Sequence, residues 1–575
     1  MNNSKSNYIY LSLLLVGTLV GAALFVSFRV GGGEGNGSNY FQLAKSINVF
    51  ADVYREVNEA YVDDIEPAGL MKIGIDSMLK SLDPYTNYFP ESMIENARLQ
   101  QSESTADIGA ELQKQGTSVV IQQVVEEMAA FKAGLKVGDR ILSINGQDAK
   151  DRSVDEIKQV LRGQPGSEVR IGIARQGSPD QTISVMRDKA EAKSVPHFSM
   201  LDDKTGYIKL NIFNQGCAKE IETAMKELIE KNNMQSLVLD LRHNGGGLLS
   251  EAVSIVNLFV PKGELVVRGD GKTDEWRGKE FHTLSDPLAP NMPLTVLIDG
   301  RSASASEIVS GCMQDLDRGV VVGQRSFGKG LVQQTKDIGY NARLKLTVAK
   351  YFTPSGRCVQ AIDYFGGYKD GATTVPDSLR KAFKTRNGRM VYDGSGVEPD
   401  LSIEKAPDTK IVQALKDNFL IFDYATNYHY KHPQIAPAKE FDFTDVDFND
   451  FLAFLQTKQY TYSTETEDLL KKLQTSAEKE KYQASVTTSI AQLEQKIKRE
   501  KDKDLERNKD EIKRLLKQEI IERYYYQKGN IEAALKKDPS ILKSLELFAD
   551  KTKYDKLLQG TEQGNGSNNK KNGKK

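Results

Sequence analysis

The sequence predicts an α/β multidomain protein: a mixed-sheet, βαβ-rich core preceded by a helical region and followed by a helical extension. Three observations predict it. The chain has 575 residues, too many for one hydrophobic core, so several domains are expected. From about 193 to 406, short β-rich apolar runs such as Ser236 to Leu241 and Leu294 to Asp299 alternate with segments at helical spacing. Before this stretch and after it, apolar residues recur at three- and four-residue intervals.

From the amino terminus, residues 1–7 precede an uncharged apolar run, 8–28, bracketed by Lys5 and Arg29. Its length suits a bilayer span. It ends without a small-x-small cleavage site, so an uncleaved anchor is expected in preference to a cleaved signal sequence. Residues 29–40, with Gly31-Gly-Gly-Glu-Gly, form a flexible linker. In 41–103, Val49, Val53 and Val57 share a helix face, and Ser81-Leu-Asp-Pro-Tyr-Thr-Asn87 breaks the pattern. Residues 407–555 read as helical, with a Lys/Glu-rich stretch from Ala477 to Arg514 whose opposite charges mark a solvated face. The tail 556–575 is expected to be disordered.

Composition excludes several classes. With 78 basic and 79 acidic residues the net charge is −1, which points away from nucleic acid. Cys217, Cys312 and Cys358 are few, odd in number and apolar in context, unlike a disulfide framework or metal site. His429 and His432 lack companion ligands. No metal or cofactor is expected.

The organising stretch is Arg301 to Gln334. After the strand-like Leu294 to Asp299, the small-residue turn Ser302-Ala-Ser-Ala-Ser306 leads into Ile308, Val309, Cys312, Met313 and Leu316, at helical spacing. Strand, tight turn, helix puts a serine hydroxyl at a helix N-terminus, where N–H groups favour developing negative charge. Further on, Ser326-Phe-Gly-Lys-Gly330 holds a lysine between glycines. A free lysine titrates at about 10.4 and is a poor base at neutral pH, but burial lowers that value. Phe327, Leu331 and Val332 offer apolar surroundings, and Gln333 can orient the amine without adding charge. A serine nucleophile with a lysine base follows. Gly323 to Lys329 also fits the start of a phosphate-binding G-x-x-x-x-G-K loop, but Gly330 replaces the required Ser/Thr and a strand-like run follows. A Ser-His-Asp triad would need His243, whose side chain would have to cross the cleft.

These residues resemble the carboxyl-terminal processing peptidases, or tail-specific proteases, whose signature is Ser-Ala-Ser-Ala-Ser-Glu followed by Phe-Gly-Lys-Gly and a glutamine. The resemblance implies Ser304 as nucleophile, Lys329 as base and Gln333 as its partner. It also makes Asp240-Leu-Arg-His-Asn-Gly-Gly-Gly247 an oxyanion turn, with backbone N–H groups of Gly246 and Ala305, and places Glu307 and Asp315 in support. Residues 104–192 resemble an inserted PDZ domain through Asp107-Ile-Gly-Ala110, Ala133-Gly-Leu-Lys-Val-Gly-Asp139 and Ile144-Asn-Gly146. In it, Ile108, Gly109 and Ala110 form the loop that takes a peptide's terminal carboxylate, and the helix Val154 to Leu161 forms the facing wall. The implied protease core is 193–406. The expected protein is therefore a serine endopeptidase of the cell envelope, anchored in the inner membrane with its catalytic domains in the periplasm. It would act on proteins with unstructured apolar C-termini; the competing reading is a PDZ-type adaptor with an inactive core.

Overall fold

The computed structural model describes residues 37–91, 106–188, 193–364, 373–404 and 408–561. The expected membrane segment 8–28 lies outside them, as does the tail beyond Thr561. Among the described residues no helix is long and apolar enough to cross a membrane. The chain divides into two units, residues 1–77 and 78–575. In the first, the four-residue spacing is realised as α1 (Gly37–Ala60). Tyr54 of α1 donates its hydroxyl to the Pro67 carbonyl at 2.7 Å, where α2 (Pro67–Lys80) begins.

In the second unit, Asp83 ends the helical pattern by accepting the N–H groups of Tyr85 and Thr86, both at 2.8 Å. The chain then enters β1 (Asn87–Phe89), which pairs antiparallel with a strand of the core. The break expected at Ser81 to Asn87 is this Asp83 turn, which aims the chain along a sheet edge.

Next come β2 (Ala110–Gln115), β3 (Ser118–Val124), α3 (Ala129–Lys132), β4 (Arg140–Ile144), β5 (Gln147–Asp148), α4 (Val154–Leu161), β6 (Glu168–Ala174) and β7 (Gln181–Met186). They form an antiparallel sheet in the order β2-β3-β4-β6-β7, with β5 beside β4. Strand β2 lies at its end, and α4 packs beside it. Helix α4 starts at Ser153 in a capping box with Glu156. The core here is Ile108, Leu112, Val119, Ile121, Ile141, Ile157 and their neighbours.

The central core follows: β8 (His197–Met200), β9 (Thr205–Lys209), α5 (Cys217–Asn232), β10 (Ser236–Asp240), α6 (Leu249–Asn257), β11 (Leu265–Gly271), β12 (Lys279–His282), β13 (Leu294–Ile298), α7 (Ala305–Asp315), β14 (Val320–Gly323), β15 (Leu331–Asp337) and β16 (Arg343–Phe352). After the short pairs β17 (Ile362–Asp363) with β18 (Thr373–Thr374) and β19 (Ala382–Lys384) with β20 (Met390–Tyr392), β21 (Leu401–Ser402) closes it. Strands β21-β14-β13-β10-β9-β8 form one sheet, parallel except where β8 meets β9. A second, antiparallel sheet joins β1, β16, β11 and β12, with β15 also on β16.

A parallel sheet must be covered on both faces. Leu237, Leu239, Val296, Ile298 and Val321 face α5, α6 and α7. The other face, Tyr207, Val238, Leu297, Val320 and Val322, is covered by the C-terminal extension. That extension contains α8 (Lys410–Asp417), α9 (Leu420–Lys431), α10 (Asp445–Gln456), α11 (Glu465–Lys479), α12 (Gln483–Lys501), α13 (Asp504–Arg507), α14 (Lys509–Leu535), α15 (Pro539–Ala549) and α16 (Lys551–Leu558). Leu535, Ile541, Leu547, Tyr554 and Leu557 make the cover. Because Leu557 is buried there, helix continues to Leu558, past the point where the disordered tail was expected to start.

Candidate active site

Strand β13 delivers the chain to the turn before α7. Every residue of α7 is buried, so only small side chains fit the approach to it. Ser302 Oγ accepts from Asp299 N–H and donates to the Leu241 carbonyl, both at 2.9 Å. The Asn244 carbonyl accepts from Ala303 N–H at 3.0 Å and from Ser306 Oγ at 2.9 Å. Ser304, last before the helix, has φ of 55°, a left-handed conformation that costs a serine roughly 1–3 kcal/mol. The fold thus holds a strained serine at a helix N-terminus, the geometry of a nucleophile elbow.

Two single-atom bridges join the backbones of Ser304 and Lys329. Glu307 Oε2 accepts Ser304 N–H at 2.8 Å and Lys329 N–H at 2.9 Å. Tyr351 donates its hydroxyl to the Lys329 carbonyl at 2.7 Å and to the Ser304 carbonyl at 3.1 Å. The other Glu307 oxygen accepts from Ser326 Oγ at 2.5 Å and Gly328 N–H at 2.7 Å. Glu307 is fully buried; burial raises its pKa, and these four donors pull against that rise. The glycines around the lysine are required by contact. A Cβ on Gly328 (φ 89°) would lie 2.3 Å from Ala361 Cβ, and one on Gly330 would lie 2.8 Å from Gln360 N.

Lys329 Nζ stands over the Tyr85 ring, 4.3 Å from its centre. Among the described residues it has no hydrogen-bond or ion-pair partner. Burial, reinforced by the Lys345 ammonium, pushes its pKa below the ordinary lysine value; Glu307 and Asp83 push back. The ring face also favours the cation, so burial acts against three opposing groups. Phe327, expected to shelter the amine, is largely exposed, whereas Leu331 is buried.

Gly246 lies against the serine turn: a Cβ there would meet Ala303 O at 2.7 Å, Ser304 Cβ at 2.8 Å and Ala305 N at 2.9 Å. Its φ of 98° also requires glycine. Its N–H, however, donates to Asn244 Oδ1 at 2.9 Å. Ala305 N–H opens α7, where backbone donors have no intrahelical acceptor. His243 pairs with Asp299, Nδ1 to Oδ2 at 2.9 Å. Burial would raise the Asp299 pKa, but His243 and the Arg301 N–H outweigh it and bring it down to about 2. Among the described residues no hydrogen bond joins His243 to Ser304; its backbone N–H also goes to Asp299. Gln333 Nε2 donates to Thr347 Oγ1 at 3.4 Å, beside a bulge in the β15–β16 pairing. Asp315, at the far end of α7, forms a fully buried ion pair with Arg357 at 2.9 Å. In the PDZ-like sheet, Ile108 and Gly109 lead directly into β2 at Ala110, far along the chain from this cluster.

Sequence reasoning missed Tyr85, Tyr351 and the Arg242 network. Arg242 holds Asp240 with Nη2 to Oδ2 at 2.6 Å and reaches Asp538, Nη1 to Oδ2, at 2.6 Å. Burial would raise the Asp240 pKa, but Arg242 and Lys209 hold it well below the usual carboxylate range. Leu82-Asp-Pro-Tyr85 reads in the sequence only as a break in the helical pattern, and nothing local ties it or Tyr351 to the lysine. Lys329 leads into β15 rather than a helix, contrary to a phosphate-binding loop. Among the described residues no group of His, Cys, Asp or Glu is placed to hold a metal ion.

Three family models match the chain: the PDZ domain at residues 106–186, peptidase family S41 at 204–366, and "Probable PDZ-protease, C-terminal helical domain" at 411–548. A "Carboxy-terminal-processing protease" of Bartonella bacilliformis is 32% identical over 353 residues, covering 60% of this chain and 79% of that protein. A "Probable CtpA-like serine protease" of Staphylococcus aureus is 32% identical over 357 residues, covering 60% of this chain and 69% of that protein. A solved photosystem II D1 C-terminal processing protease is 25% identical, covers 62% of this chain and 92% of its own, and aligns with a TM-score of 0.36. The chain belongs to the carboxy-terminal-processing protease family and is a serine peptidase that carries a PDZ domain.

Proposed function

We propose that this peptidase works through Ser304 and an uncharged Lys329, and that its PDZ domain selects substrates by their C-terminal tails. The observation that carries the reading is the pair of one-atom bridges, Glu307 Oε2 and Tyr351 OH, which tie the two backbones within two hydrogen-bond lengths. Lys329 Nζ removes the Ser304 proton as Oγ bonds to the scissile carbonyl carbon. Ala305 N–H stabilises the resulting oxyanion, and Gly246 N–H joins it once released from Asn244. The Lys329 ammonium returns its proton to the leaving amine as the C–N bond breaks, leaving an acyl-serine that water, deprotonated by the same lysine, hydrolyses. Gln333, once released from Thr347, turns to orient the amine, and Glu307 and Asp315 hold the turn and helix in place.

The division of labour follows chain order. Residues 8–28 anchor the protein in the inner membrane with the catalytic domains on the periplasmic side. The PDZ domain, 104–192, binds unstructured apolar tails, raising their local concentration at the core, 193–406. The test incubates the full chain with a loosely folded protein bearing such a tail. Cleavage by the wild type, lost in both Ser304→Ala and Lys329→Ala with unchanged circular dichroism, is the expected result. Tail binding without cleavage by the wild type would instead identify an adaptor.

A further inference from the structure

The PDZ groove lies between the edge strand β2 and helix α4, and two ion pairs cross it. Arg162, the residue capping α4, meets Asp107 at 3.5 Å. Lys158, one turn earlier on α4, meets Glu111 of β2 at 2.7 Å. Both cations are on the helix side and both carboxylates on the strand side. The apolar floor beneath is Ala110, Leu112, Ile157 and Leu161, all buried. At the end of the groove, Asp107 Oδ1 also accepts Ile108 N–H at 2.6 Å and Gly109 N–H at 3.4 Å. Those are the donors a peptide's terminal carboxylate needs. The protein's own carboxylate therefore sits where the ligand's would go.

Among the described residues β2 pairs on one side only, so its other edge is open to an added strand. A strand placed there must pass between β2 and α4, and both ion pairs stand in its path. Each pair keeps substantial side-chain exposure, 45% and 51% for Asp107 and Arg162, 57% and 31% for Glu111 and Lys158. Exposed pairs of this kind are worth little and exchange partners readily. Four helical residues rise about 6 Å, close to the roughly 6.6 Å spanned by two residues of extended peptide. Lys158 therefore faces the side chain two positions before a tail's last residue when Arg162 faces its terminus.

Resting on the tail-binding reading above, we infer that these pairs form a charge latch that one class of tail opens. That tail carries an apolar last residue, whose carboxylate replaces Asp107, and an acidic side chain two residues upstream, which replaces Glu111 on Lys158. Neutral tails must break the Lys158–Glu111 pair without compensation, and basic tails meet Lys158 with like charge.

The test measures fluorescence anisotropy of labelled dodecapeptides ending Glu-Ala-Val, Gln-Ala-Val and Glu-Ala-Val amide, using the full chain with Ser304→Ala. The Glu peptide should bind about threefold tighter than the Gln peptide, the scale of one exposed ion pair. The amide should bind at least about tenfold more weakly than the free acid, as expected for loss of charge-assisted hydrogen bonds. Lys158→Met should erase the Glu-over-Gln preference, and Glu111→Gln should tighten both acid peptides. If acid and amide are distinguished but Glu and Gln are not, or if Lys158→Met keeps the preference, the latch is wrong while tail recognition stands. If acid and amide bind alike, tail recognition itself fails and the latch falls with it.

Discussion

Glu307 and Lys329 work against their surroundings, and each yields a prediction at the scale of one side chain. Glu307 uses both carboxylate oxygens on four donors from the serine turn and the lysine loop. In Glu307→Gln the amide nitrogen would face two of those donors. We expect a stability loss of about 1–3 kcal/mol for the unpaired groups and a fall in kcat/KM of about a hundredfold from misplacement of the dyad. Denaturant melts and peptide hydrolysis measure the two separately. For Lys329, the proposed role requires the uncharged amine, so activity should rise as pH passes upward through its pKa. The Lys345 ammonium depresses that pKa; Lys345→Gln should therefore move the acid limb of the pH–rate profile to higher pH and slow hydrolysis at neutral pH by about threefold. Asp83 acts in the opposite sense, and Asp83→Asn should move the limb to lower pH.

At the scale of elements, the serine turn was legible because its strand and helix each carry a clear period and only small residues lie between them. The helix at Val154 to Leu161 and the strand after Lys329 were legible for the same reason. The place of the C-terminal extension was not. Its helices show charges on most faces, and the apolar residues that matter, Leu535, Ile541, Leu547, Tyr554 and Leu557, are spread over three helices. Nothing local says that they cover the back of a sheet built from strands between residues 197 and 402. Nor does the sequence show that Asp538, which caps α15 through Ser540 and Ile541 N–H, also holds Arg242 beside the Gly246 turn. Asp538→Ala removes a helix cap and leaves Arg242 one partner short. It should cost about 2–3 kcal/mol, read as a lower thermal midpoint, and reduce kcat more than it raises KM.

Across the second unit, the extension also grips the PDZ domain. Phe422 of α9 joins the PDZ core, and Arg523 lies over its ring at 4.5 Å while donating to the Phe422 carbonyl at 2.8 Å. Tyr526, at a break in α14 with φ of 52°, meets Phe131 of α3 edge-on at 5.1 Å. One helical body therefore touches both the PDZ domain and the central sheet. At Gly138, with φ of 94°, this joint requires glycine, because a Cβ there would meet Thr426 Cγ2 at 2.5 Å. Gly138→Val should loosen this joint. We expect cleavage of a tailed protein to fall about tenfold as effective concentration at the site is lost. Hydrolysis of a short untailed peptide, assayed in parallel, should be nearly unchanged.

Catalysis as proposed turns on the charge state of one amine, and that can be observed directly. Lysine side chains labelled with ¹³C at the ε-carbon can be titrated by NMR, with Lys329 assigned by difference against Lys329→Arg. The expected midpoint lies clearly below the ordinary lysine value of about 10.4 and coincides with the acid limb of kcat/KM. A Lys329 signal that titrates like a solvent-exposed lysine, with hydrolysis already at its plateau while the amine is still charged, would contradict it.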